Sequence, residues 1–272
     1  MRVAAATSLA ALATAAALAA IPASGAGDAR SSRERWHPRP TTQPWQWQLS
    51  GRLRLAPRTA VYDVDGLDAR RRAVRALHRR GRRVICYVSA GSHEPFRADA
   101  RRFPRRVIGR RIAGFPDERW LDIRRIDLLA PILRDRFEAC RRKGFDAVEP
   151  DNVDGYSNRS GFPLTAADQL AFNRWVAGTV RSMGMAVGLK NDPEQVRRLV
   201  GDFDFAVVEQ CFEFRECRAY SPFVRRRKAV YLAEYRRRSA RICRRARRLR
   251  FSLIFKRRAL GAARRTCRRG GR

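Results

Sequence analysis

The chain has 272 residues, with 60 Lys and Arg against 26 Asp and Glu, a formal net charge of +34 and only three His. Its length exceeds a minimal module and fits one α/β barrel-sized domain or two small domains, and no Pro/Gly/Ser-rich linker divides it. The lack of any CxxC pair argues against a zinc cluster. The lack of an RNP, KH or zinc-finger pattern argues against specific nucleic-acid recognition, although so basic a chain attracts polyanions non-specifically.

Residues 1–26 have the pattern of a secretory signal peptide. They hold one charge, Arg2, followed by an Ala/Leu-rich run and by small residues up to Ala26. No later stretch approaches twenty uncharged apolar residues, so we expect a secreted monomer without a transmembrane segment in the mature chain. An uncleaved anchor or lipoprotein is the alternative, but no Cys follows the small residues. Residues 27–44 are polar and contain prolines, and we predict a disordered lead-in there.

Six cysteines, an even number, permit three disulfides in an exported protein. Six cysteines allow fifteen pairings, and the spacing alone does not choose among them. A bond between Cys211 and Cys217 would close a short loop, and one between Cys243 and Cys267 would tie down the C-terminal element.

Short apolar runs alternate with longer helical patterns from Trp45 onward. The predicted strands are 45–49, 60–64, 83–88, 120–123, 145–148, 185–189, 203–208, 229–233 and 251–255, and the predicted helices are 68–80, 125–142, 165–182, 193–201, 216–226 and 236–248. This alternation is typical of parallel strands joined by crossover helices. No dinucleotide glycine fingerprint follows the first strand, so the pattern predicts an α/β fold of the (β/α)8 TIM-barrel type over residues 45–268. It is expected to be irregular at its N-terminal strands, because no helix separates the first two.

Although the chain is strongly basic, its acids gather just after the predicted strands. They are Asp63, Asp65, Glu94, Asp99, Asp122, Glu149, Asp151, Asp154, Asp192, Glu209 and Glu234. In a barrel these positions surround one mouth, at the C-terminal face where active sites lie. Capping of the following helix explains a single strand-end Asp as well as catalysis does, but it does not explain the whole ring.

Two predicted strands run directly into carboxylates. The segment 144–156 carries Glu149, Asp151 and Asp154, and a later strand ends on Glu209. Glycoside hydrolysis needs one carboxyl group to protonate the leaving oxygen and another to attack or stabilise the sugar cation, so Asp151 and Glu209 are the predicted catalytic pair. A structural Ca²⁺ in the first segment is an alternative, but EF-hand spacing is absent. We therefore expect neither a metal nor a cofactor.

Lysine occurs only at positions 143, 190, 228 and 256, so every other basic residue is Arg. Lys190 lies at a strand end, which suggests that a compact ammonium is required there. Aromatic residues near the strand ends fit either sugar-stacking platforms or barrel packing. They are Trp47, Tyr62, Tyr87, Trp120, Tyr156, Phe212 and Tyr235.

These segments resemble glycoside hydrolase family 114, a group of secreted barrel-shaped endo-α-1,4-polygalactosaminidases. The resemblance covers about residues 45–260 and rests above all on Cys-Tyr-Val-Ser-Ala-Gly-Ser at 86–92 and Glu-Pro-Asp-Asn-Val-Asp-Gly-Tyr at 149–156. Other similar segments are 45–51, 62–65, 119–124, 188–191, 208–212 and 233–235.

The resemblance implies a retaining endo-hydrolase that cuts α-1,4-linked, galactosamine-containing polysaccharide. It implies that Asp151 is the nucleophile and Glu209 the acid/base. By the same likeness, seven residues are expected to line the sugar site: Asp63, Asp122, Asn152, Asp154, Tyr156, Lys190 and Glu234.

The basic exterior opposes such a substrate, because de-N-acetylated galactosamine polymer is itself cationic. Charges farther apart than about 10 Å are screened at moderate salt, so an acidic mouth can still bind amino sugars, and an acetylated or anionic polymer is a further alternative. Two other functions stay open. One is a non-catalytic barrel that binds cell-wall or other anionic polymers through its Arg-rich surface, and the other is non-specific nucleic-acid binding.

Overall fold

The computed structural model describes residues 34–267, and the predicted signal peptide lies outside that range. Strands and helices alternate along it as the sequence predicts. In chain order the elements are β1 Gln46–Gln48, β2 Val61–Asp65, α1 Arg71–His78, β3 Arg83–Ser89, β4 Ser92–His93, β5 Ile108–Ile112, β6 Phe115–Leu121, α2 Ile126–Lys143, β7 Ala147–Asp151, α3 Ala166–Ser182, β8 Ala186–Lys190, α4 Val196–Leu199, β9 Phe205–Glu209, α5 Ser221–Arg225, β10 Val230–Glu234, α6 Ala240–Leu249, β11 Ser252–Phe255 and β12 Arg265–Thr266.

Eight parallel strands lie side by side in the order β1-β2-β3-β7-β8-β9-β10-β11, and β12 pairs antiparallel with β11. The predicted TIM-barrel type is confirmed. The C-terminal segment lies across the seam between β11 and β1. There the backbone N–H of Leu49 donates to Leu260 O at 2.9 Å and the side chain of Gln46 donates to Ala262 O at 2.7 Å.

The core has two layers. Inside the barrel, Trp45, Trp47, Phe205 and Tyr231 pack with smaller side chains, and the second layer fills the space between strands and helices. On β8 a Cβ at Gly188 would lie 2.3 Å from the Phe205 ring. Only glycine leaves room for that ring, so the interior of the barrel is tightly packed at this level.

All six cysteines are paired. Cys211–Cys217 and Cys243–Cys267 form as the spacing suggested, and Cys86–Cys140 joins β3 to α2. Three disulfides are typical of an oxidising, extracellular environment. Across residues 34–267, no helix is long and apolar enough to cross a bilayer.

The part of the predicted disordered lead-in that the structure describes, residues 34–44, packs against the barrel instead. The Trp36 ring lies 6.0 Å from that of Phe205, and the backbone N–H of Ala229 donates to Pro38 O at 2.9 Å. The prediction of disorder was wrong for this stretch, because its tryptophan covers apolar side chains at the N-terminal end of the barrel.

The predicted barrel strand at 120–123 was also wrong. Trp120 and Leu121 end β6, which pairs antiparallel with β4 and β5 in a separate three-stranded sheet. Trp120 packs against Gly155, just beyond β7, so this small sheet lies beside the barrel mouth. The predicted helices at 193–201 and 216–226 are reduced to the short helices α4 and α5.

Candidate active site

Three neighbouring strands end on ionisable side chains. Asp151 is the last residue of β7, Lys190 of β8 and Glu209 of β9. The residue after each has a left-handed backbone, with φ of 60°, 48° and 56° at Asn152, Asn191 and Gln210. Asn tolerates this conformation better than most residues, and a strained turn after a strand-end residue is typical of functional sites.

The Lys190 ammonium is the centre of the cluster. Its Nζ lies 2.9 Å from Asp151 Oδ1, 3.1 Å from Glu149 Oε1 and 3.2 Å from Glu209 Oε2. The Trp47 ring lies 4.7 Å from the same nitrogen. Burial alone would lower the pKa of Lys190, but the three carboxylates outweigh it and hold that pKa well above its ordinary value. The lysine is therefore a permanent cation at neutral pH.

Asp151 receives donors on both carboxylate oxygens. Besides Lys190, the Asn152 N–H donates to Oδ1 at 2.8 Å and the Tyr87 hydroxyl donates to Oδ2 at 2.8 Å. Burial raises the pKa of Asp151, but Lys190 and these hydrogen bonds prevail and lower it below its ordinary value. Asp151 is consequently held as an anion.

Glu209 faces the same ammonium from the other side. Its Oε1 accepts a hydrogen bond from the Tyr235 hydroxyl, and its backbone N–H donates to Asn191 Oδ1 at 2.9 Å. The Glu209 side chain is 24% exposed and that of Asp151 is 19% exposed, whereas Glu149 is fully buried. A ligand can therefore reach Asp151 and Glu209 but not Glu149.

Asp63 and Glu149 form a buried acid pair beneath the site. Asp63 is fully buried, and desolvation together with the charge of Glu149 raises its pKa well above the ordinary value. Burial also raises the pKa of Glu149, so the two neighbouring carboxyl groups do not readily ionise together. Asp63 thus supports Glu149 from below and does not line the open site.

The close fit of the β3 and β7 ends depends on Gly91. Its N–H donates to Asp151 O at 3.1 Å, and a Cβ there would lie 1.7 Å from Asn152 O. The Asn152 side chain donates to Ser89 Oγ at 3.0 Å and Ser92 Oγ at 3.1 Å. Asn152 therefore fixes the turn after Asp151 through the serines of the Ser-Ala-Gly-Ser motif.

A second acidic group lies beside the pair. Burial and the Asp151 charge raise the pKa of Asp154 to about 6. The Tyr156 hydroxyl donates to Glu194 Oε2 at 2.8 Å and approaches Asp192 Oδ1 at 3.4 Å, and burial raises the pKa of Asp192 to about 7. Asp154 and the exposed Glu194 can accept hydrogen bonds from an amino sugar, whereas Asp192 is buried and held by Tyr156 and Asn173.

Two predicted site residues have structural partners instead. Asp122 is held by Arg124 through two hydrogen bonds of 2.8 Å, and no contact joins it to the catalytic pair within residues 34–267. Glu234 Oε1 accepts from the Phe212 N–H at 2.8 Å and so braces the loop after Glu209.

Other members of the predicted acidic ring also form ion pairs with arginines. Arg97 contacts Asp65 at 2.7 Å and Glu94 at 2.9 Å, and Arg136 contacts Asp99 at 2.8 Å. These pairs secure the loop that follows β3.

No hydrogen-bonding role at the site was predicted for several groups that contact it. Glu149 lies in the same acidic segment as Asp151, and Tyr87 and Tyr235 were predicted only as sugar-stacking or core aromatics. Glu118 was missed altogether, although Ser92 Oγ donates to its Oε2 at 2.9 Å and burial raises its pKa to about 7. Because Glu118 lies within β6, a strand outside the barrel, the strand-end rule could not find it.

Comparison with known proteins gives consistent results. Residues 25–272 match the glycoside-hydrolase family GH114. The chain is similar to Aspergillus fumigatus Ega3, solved in complex with galactosamine, with 31% identity over 86% of this chain and 98% of that chain and a TM-score of 0.81. It shares a fold with the glycoside hydrolase domain of PelA from Pseudomonas aeruginosa, at 13% identity over 82% of this chain and 98% of that chain and a TM-score of 0.65. No curated protein matches the sequence. The chain belongs to glycoside-hydrolase family GH114.

Proposed function

We propose that this glycosidase is a secreted, retaining endo-hydrolase of α-1,4-linked, galactosamine-containing polysaccharide, with Asp151 as nucleophile and Glu209 as acid/base. The observation that carries the proposal is the shared contact of both carboxylates with one ammonium. Lys190 Nζ lies 2.9 Å from Asp151 Oδ1 and 3.2 Å from Glu209 Oε2. These two facing oxygens are therefore no more than about 6.1 Å apart. This closeness supports the shorter carboxyl separation of retaining enzymes over the roughly 6.5–9.5 Å of inverting enzymes.

In the first step, an Asp151 oxygen attacks the anomeric carbon while the glycosidic C–O bond breaks and Glu209 gives its proton to the leaving oxygen. Asp151 suits this role because its many donors keep it ionised. In the second step, Glu209 takes a proton from water, the water oxygen attacks the anomeric carbon, and Asp151 leaves as the free carboxylate. Lys190 and Tyr235 then stabilise the Glu209 carboxylate in its role as base.

The sugar is proposed to be galactosamine for two reasons. Ega3, the relative at 31% identity, was solved with galactosamine. Asp154 and Glu194 provide acceptors on the flank beside the reactive pair, and carboxylates stabilise a sugar ammonium by charge-assisted hydrogen bonds. The three disulfides and the predicted signal peptide support secretion.

Reducing-end release from partly de-N-acetylated α-1,4-galactosaminogalactan tests the proposal. We expect the mature chain to release reducing ends and Glu209→Gln to be slower by roughly 10²–10⁴-fold, the usual contribution of a general acid/base. Glu138→Gln, on the outer helix α2, is the matched control and should cleave at the normal rate. No release by the unmodified chain, with tight and salt-sensitive polymer binding, would point instead to a non-catalytic wall binder.

A further inference from the structure

A groove lined by cations begins beside the acid/base. Tyr235, whose hydroxyl contacts Glu209, lies at one end of a cavity of about 600 Å³ between the ends of β10 and β11 and the C-terminal segment. A second cavity of about 1010 Å³ continues from it along the β1 seam and shares three of its arginines. Among residues 34–267, no Asp or Glu lines either cavity. The main cations of the first are Arg237, Arg238, Lys256, Arg257, Arg264 and Arg265.

Two of these cations, the buried Lys256 and the half-buried Arg264, hydrogen-bond only to neutral partners in the described part of the chain. Lys256 is 5% exposed and donates to Gly261 O at 2.5 Å, with Gln46 Oε1 at 3.4 Å. Arg264 donates to the carbonyl oxygens of Trp45 and Pro57. Burial, with Arg264 nearby, lowers the pKa of Lys256 to about 8. Buried charges without a counter-ion are unfavourable, and binding an anion would remove that penalty.

The Arg-rich composition does not by itself explain this arrangement. Where the barrel buries arginines elsewhere, it pairs them: Arg136 with Asp99 at 2.8 Å and Arg97 with Asp65 at 2.7 Å. Among the described residues, the cations of the groove take part in no such ion pair. The charge of Arg236, which also lines the groove, partly offsets the rise that burial causes in the pKa of Glu234. An arginine-lined cavity beside Phe212 also has no acid in its described lining, but its four arginines are exposed, so the buried and unpaired Lys256 is what distinguishes this groove.

The groove reaches the reacting atoms through one side chain. Arg258 lies over the Tyr235 ring, with its guanidinium carbon 5.1 Å from the ring centroid, and the Tyr235 hydroxyl contacts Glu209. A polymer bound at Glu209 would thus meet the groove at Tyr235.

We propose that this groove binds anionic sugar units, carrying carboxylate groups, of the polymer that is cleaved at Asp151 and Glu209. The inference rests on the proposed function and narrows its substrate to a polysaccharide that bears both amino and acidic sugars. Arg guanidinium groups bind carboxylates through paired hydrogen bonds, which suits uronate side groups. Such a polymer would also be attracted by the basic exterior, which repels a purely cationic chain.

Calorimetric binding of α-1,4-linked tetragalacturonate to the mature chain tests the groove at about 0.1 M salt, where long-range charge effects are screened. The triple variant Arg237→Gln/Arg257→Gln/Arg265→Gln should bind it about tenfold or more weakly. The control Arg71→Gln/Arg75→Gln/Arg134→Gln removes the same charge from exposed helix positions and should change affinity by less than about twofold. The carboxyl-reduced tetrasaccharide, which is neutral, should bind much more weakly to the unmodified chain.

Equal losses in the two triple variants, or equal binding of the carboxyl-reduced sugar, would overturn the groove assignment. A thermal melt of each variant identifies any that fail to fold, and the single variant Arg265→Gln, in exposed β12, then replaces the triple. Binding needs no turnover, so the result is independent of the hydrolase proposal. Suppose that cleavage depends on Glu209 but that uronate binding is unchanged by the groove substitutions. The hydrolase proposal would then hold, and only the groove assignment would be wrong.

Discussion

Asp151→Asn is expected to slow cleavage of galactosamine-containing polymer by roughly 10⁴-fold or more while leaving the fold intact. The amide keeps the size of the side chain and can still accept from Tyr87, but it cannot form the glycosyl ester. The rate is read from reducing-end release, and the thermal midpoint shows that the barrel persists. Asp127→Asn, on the exposed first turn of α2, is the matched control and should leave the rate unchanged.

A smaller variant gives a second readout of the same role. In Asp151→Ala, added azide can attack the anomeric carbon from the vacated face while Glu209 protonates the leaving oxygen. The product should be a glycosyl azide of inverted configuration. If Asp151→Asn keeps a rate within about tenfold of the unmodified chain, Asp151 is not the nucleophile.

Lys190→Met is expected to impair both folding and catalysis. It removes the only cation that contacts the carboxylates of Glu149, Asp151 and Glu209, according to the ion pairs of residues 34–267. Breaking one side of a buried ion pair costs about 3–5 kcal/mol, so we expect a loss of that size in the free energy of unfolding at pH 7. Urea denaturation measures it, and polymer cleavage should become too slow to detect.

The stability difference should depend on pH in a defined direction. Lys190 lowers the folded-state pKa of Asp151 and thereby stabilises the folded protein. This stabilisation is present above the unfolded-state pKa of about 3.9 and is lost as pH falls through the folded-state pKa. The gap between the unmodified chain and Lys190→Met should therefore be widest near neutral pH and shrink in acid. Lys143→Met is the control. Within residues 34–267, Lys143 donates hydrogen bonds only to the carbonyl oxygens of Gly66 and Leu67, so its removal should not reproduce this pH dependence. A Lys190→Met chain as stable and active as the original would contradict the electrostatic account.

Much of the barrel could be predicted from the sequence because each inner strand is short, apolar and followed by a turn. The strand ends then brought Asp151, Lys190 and Glu209 to one face, since parallel strands finish at the same edge. The same rule placed Asp122 at the barrel mouth, but the strand that precedes it belongs to the small antiparallel sheet. Pairing direction depends on distant partners, and the local pattern around Trp120 does not record it.

The remaining differences arise from tertiary contacts. Residues 34–44 have a polar composition, yet Trp36 anchors them on the barrel base. Asp63 lies near the end of β2, but it is fully buried beside Glu149, and composition does not reveal this burial. The cationic groove is formed by residues 235–238, 255–257 and 263–265, which are distant in sequence from β1. Gln46 of β1 lines the adjoining cavity because β1 and β11 meet at the seam of the barrel.

In the proposed mechanism, Asp151 carries the sugar as a covalent ester between two displacements. Proton NMR of the first reducing ends released from an α-1,4-galactosamine-containing oligomer tests it directly, provided that spectra are taken before mutarotation. Two displacements predict that the α-anomer appears first and equilibrates later with the β-anomer. Initial formation of the β-anomer would mean direct attack by water and would contradict the roles assigned to Asp151 and Glu209.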